Sequence, residues 1–117
     1  LWGGKVGKAS AESTRKSIFL DHPLVLTDVW AKASAATTFK AGSVLMLADG
    51  VATLAADTMT AATFLGVLPG DTEIGTEDTK ITVVRHGHAK LDQLVLASGA
   101  TASKVAAVLA TAGIYAD

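Results

Sequence analysis

Ser43-Val44-Leu45-Met46-Leu47-Ala48, then Asp49-Gly50, then Val51-Ala52-Thr53-Leu54-Ala55, is the stretch whose reading decides the fold. Two apolar runs of strand length flank an Asp-Gly pair, and that pair supplies the two positive φ angles of a type I′ turn. The segment therefore reads as a β-hairpin, with Gly50 required to adopt φ > 0. Upstream, Leu24-Val25-Leu26-Thr27-Asp28-Val29-Trp30 is rich in β-branched and aromatic types and predicts a strand from about Leu24 to Trp30, with Trp30 packed in the core. An Ala/Ser/Thr connector then leads to Phe39-Lys40-Ala41-Gly42, where the glycine marks a turn.

Downstream, Thr63-Phe64-Leu65-Gly66-Val67-Leu68-Pro69 is another short apolar run, and Gly66 inside it predicts a bulge or the close approach of another backbone. The stretch Asp71 to Thr79 holds Asp71, Glu73, Glu77 and Asp78 with no base, and reads as a solvated acidic loop. Lys80-Ile81-Thr82-Val83-Val84-Arg85-His86-Gly87-His88-Ala89, continuing towards Leu94-Val95-Leu96, predicts two strands bent at Gly87. The period then changes. Val105, Val108, Leu109 and Ala112 follow the i, i+3, i+4, i+7 spacing of a one-striped helix, with Thr101 placed to cap its start and Gly113 to stop it in a left-handed conformation. Ile114 is placed to fold back on Leu109. The expected class is thus mainly β with one short C-terminal α-helix.

Composition bounds what such a fold can do. The chain has 117 residues, which suits one compact domain, but 22 of its hydrophobic residues are alanine and only six residues are aromatic, so the core is thin for the length. Burying surface between identical subunits is one remedy, and oligomerisation is expected. Ten basic and eleven acidic residues nearly cancel, so no cationic surplus draws the chain to nucleic acid or anionic lipid. There is no cysteine, hence no disulfide or thiolate chemistry. No run approaches a membrane span, and Leu1-Trp2-Gly3-Gly4-Lys5 lacks the apolar run of a signal peptide, which reads as a soluble protein made inside a cell.

Residues 1–17 stand apart from this body. They carry Lys5, Lys8, Arg15 and Lys16 against Glu12 alone, among Gly, Ser and Ala, with no apolar period, and read as a flexible basic arm preceding a domain over 18–117. Trp2 within that arm has little local structure to bury it, so it is a candidate anchor for a partner's pocket.

The order of these features resembles the head decoration proteins of tailed phages, the family of the trimeric decoration protein D of lambda-like phages. The likeness runs from Phe39 to Ile114 and consists of the hairpin, the Phe64-Leu65-Gly66-Val67-Leu68 run, the acidic turn, Ile81 to Ala89, and the closing helix with Gly113-Ile114. Residues 18–38 depart from the family pattern. The resemblance implies a compact β-tulip-like domain, a homotrimer on the outside of an expanded phage head, the major capsid protein as partner, and a role in holding the shell against packed DNA. It places the protein on the outer surface of the virion, assembled in the cytoplasm of the bacterial host. It also implies that the arm binds the shell, with Trp2, Ile18 or Phe19 filling pockets and Lys5, Lys8, Arg15 and Lys16 meeting acidic groups. A capsid-anchoring module of a head fibre is the alternative within that class.

No cofactor, catalytic residue or metal is expected. His86 and His88, at alternate positions of one strand, share a side and could chelate Zn²⁺, which gives the rival reading of a soluble metal- or ligand-binding β module. Only Asp92 or the distant His22 could complete the ligand set. The acids of residues 71–78 lack the ligand order of a Ca²⁺ loop and any neighbour that would raise a carboxyl pKa. No nucleophile elbow, zinc-protease motif, phosphate loop or dinucleotide fingerprint occurs, and the expected protein is not an enzyme.

Overall fold

The computed structural model describes Ile18, Phe19 and residues 24–117. Its elements are β1 (Val25–Ala31), β2 (Thr37–Phe39), β3 (Val44–Ala48), β4 (Val51–Leu54), β5 (Phe64–Val67), β6 (Thr72–Ile74), β7 (Thr79–Ala89), a 3-10 turn (Leu91–Gln93), α1 (Ala102–Ala112) and β8 (Ile114–Ala116). The mainly β class with one C-terminal helix is as the sequence predicts. Residues 1–17 lie outside the described residues.

The β3–β4 hairpin forms around Asp49 at φ 51° and Gly50 at φ 81°, with Ala48 opposite Val51 and Leu47 opposite Ala52. The type I′ assignment is met. From this hairpin the main sheet extends in the order β1-β7-β5-β3-β4 with antiparallel neighbours, while β8 pairs in parallel with the end of β7. The Ala52 N–H donates to the Lys32 carbonyl at 2.7 Å, so the sheet curls until β4 meets the chain just past β1. β2 and β6 form a separate two-stranded sheet.

Alternation gives this sheet a core on each face. Val44, Met46, Phe64, Val67 and Val84 pack with Val105, Leu109 and Ile114 on one side. Leu45, Leu65, Ile81 and Val83 pack with Phe39, Leu68 and Ile74 on the other. The central strand β5 is buried along its whole length. Gly66 makes this packing possible: it sits opposite Leu45 beside a register shift, and a Cβ there would lie 2.4 Å from the Val83 Cβ. The close approach expected at Gly66 is real, but the intruder is a side chain of β7.

The helix ends as predicted, at Gly113 with φ 111°, whose N–H bonds the carbonyls of Leu109 and Ala110. Ile114 is fully buried in the same core as Leu109, yet it continues into β8, an element the sequence did not reveal. Thr101 occupies the N-cap position without making a side-chain cap. Instead the Asp57 carboxylate receives the Thr101 N–H at 2.6 Å and its hydroxyl at 3.0 Å. These bonds, first the backbone N–H, then the hydroxyl and the charge of Lys104, hold the Asp57 carboxyl below its ordinary range.

Several expectations are corrected. Residues 79–89 are one strand and do not break at Gly87; there β7 changes partner, from Val25 opposite His86 to Ile114 opposite Gly87. A Cβ on Gly87 would meet Leu24 Cδ2 at 2.4 Å, so its glycine serves close packing. Leu94 to Leu96 form no strand and pair with the sheet through a single bridge, Val95 with Ser43, while Leu94 and Leu96 pack against the helix-side core. The acidic stretch 71–79 holds β6, with Ile74 fully buried, although its four acids are exposed as expected. The Ala/Ser/Thr connector likewise runs into β2.

Trp30 is corrected as well. It is 66% exposed, because β1 is the outermost strand and Trp30 lies opposite Lys80 on its open face, while Ala31 alone of that strand is buried.

Candidate interaction surface

β1 presents Val25, Leu26 and Trp30 to solvent, at 49%, 41% and 66% exposure. Directly opposed residues of an antiparallel pair share a face, so Leu26, Asp28 and Trp30 stand with Val84, Thr82 and Lys80. Asp28 ties this face together. Its Oδ1 accepts the Thr82 hydroxyl at 2.8 Å and its Oδ2 lies 3.8 Å from Lys80 Nζ. Both charges are more than half exposed, so the pair adds little stability; it orients Lys80 beside Trp30.

The outer edge of β1 is open as well. The carbonyl of Lys32 turns away from β7 to reach Ala52, and main-chain groups alternate along a strand, so those of Trp30, Asp28 and Leu26 point to the same outer side. Among the described residues none of these three bonds a main-chain partner beyond β7. A second exposed aromatic, Tyr115 at 61%, lies on β8 opposite His88.

The chain that precedes β1 enters at the other end of β7. The Lys90 N–H donates to the Ile18 carbonyl at 2.7 Å, and Phe19 bridges Ala89 antiparallel. Ile18 and Phe19 are 4% and 3% exposed in the helix-side core, so these two side chains fill a pocket of their own chain and not one of a partner. Trp2, Lys5, Lys8, Arg15 and Lys16 lie outside the described residues.

His86 and His88 are each engaged locally. His86 packs where Gly113 has no side chain, since a Cβ there would lie 2.2 Å from Nδ1. His88 Nε2 meets Asp117 Oδ2 at 2.5 Å. Among the described residues no three His, Cys, Asp or Glu side chains gather into a ligand set, Asp92 included, and His22 lies outside them. One open groove runs between Pro69–Glu73 and Thr79–Thr82. Its Asp71 carboxylate is committed to the Ala41 N–H at 2.8 Å. No described helix is long and apolar enough to cross a membrane.

Sequence reasoning found β1 and missed its exposure. The signal available was Asp28, a charge placed midway in a mostly apolar strand, which marks an open face. In comparison with known proteins, no protein-family model and no curated protein sequence matches this chain.

Proposed function

We propose that the chain is a non-enzymatic decoration module that binds the outer surface of an expanded phage head as a trimer and stabilises the shell against internal pressure, with the major capsid protein as partner. The observation that carries the reading is the uncovered apolar strand β1, whose Val25, Leu26 and Trp30 face solvent and make up three of the five exposed large hydrophobic side chains of the described residues, beside Leu47 and Tyr115. Exposed aromatic and aliphatic groups beside unpaired main chain favour binding to another polypeptide over chemistry on a small molecule. The order of hairpin, short central strand, acidic segment, long strand and closing helix supports the same family reading. On the shell, β1 and the arm with Trp2, Lys5, Lys8, Arg15 and Lys16 supply the grip.

The test is sedimentation with expanded tailed-phage heads stripped of their own decoration protein, alongside unexpanded heads. Saturable pelleting with expanded heads only, together with a trimeric mass under native conditions, is the expected result. A stable monomer that pellets with neither would overturn the proposal.

A further inference from the structure

We draw no further inference here: the strongest candidate, the open outer edge of β1 with the exposed Val25, Leu26 and Trp30 beside it, belongs to the surface already described, and nothing among the described residues shows what covers it.

Discussion

β5 and β1 are strands of one sheet, separated only by β7, and they meet opposite fates. All four residues of β5 are buried, whereas β1 buries Ala31 and exposes Trp30, the largest side chain of the described chain. Both read as apolar runs. The difference is position: β5 has strands on both edges and a core on both faces, while β1 has a neighbour on one edge and projects beyond the helix that covers the centre. Apolar content therefore reports strand formation, and only the topology tells whether the apolar groups serve cohesion or contact.

That contrast can be broken by mutation. On the cohesive side, Leu109→Ala removes a fully buried side chain from the core facing β5 and is expected to cost about 2–4 kcal/mol in denaturant unfolding. An unchanged midpoint would mean that α1 does not close that face. Gly50→Val comes next, at about 1–2 kcal/mol. No atom lies within 4 Å of the missing Cβ, so the loss is turn strain alone, and Gly50→Asn should recover part of it.

Asp57→Ala should lower the melting temperature by less, by uncapping α1. Its pH dependence has a definite sign. The Asp57 carboxyl is depressed in the folded state, so its stabilisation is present above the ordinary value of 3.8 and is lost as pH falls through the lower folded value. The variant and the parent should differ at neutral pH and converge in acid; a gap that widens in acid would contradict the assignment. On the contact side, Trp30→Ser should change unfolding stability by no more than about 0.5 kcal/mol, since the side chain is mostly solvated.

Where local chemistry decides the conformation, the sequence was legible. Asp49-Gly50 dictates a turn by its backbone angles, Gly113 ends a helix for the same reason, and Val105 and Leu109 show their stripe by period. Elements held by distant partners were not legible. β2, β6 and β8 are three residues each, too short for any period, and exist because Thr38 meets Glu73 and Tyr115 meets His88. The cap on α1 comes from Asp57, 44 residues before Thr101 in the chain. The candidate surface was half legible. β1 was found as a strand, yet its outermost place depends on a pairing with β7 that no local pattern encodes, and so Trp30 read as core.

The central claim is that this open strand is where the protein meets its partner. The direct measurement is a sedimentation isotherm of the parent chain and of Trp30→Ser on expanded phage heads stripped of decoration protein. The account predicts saturable binding by the parent and an affinity weakened about thirtyfold in the variant, the scale of an aromatic hot spot of about 2 kcal/mol, with the fold intact. Equal isotherms for the two chains would contradict it, because the largest exposed side chain of β1 would then contribute nothing to the contact.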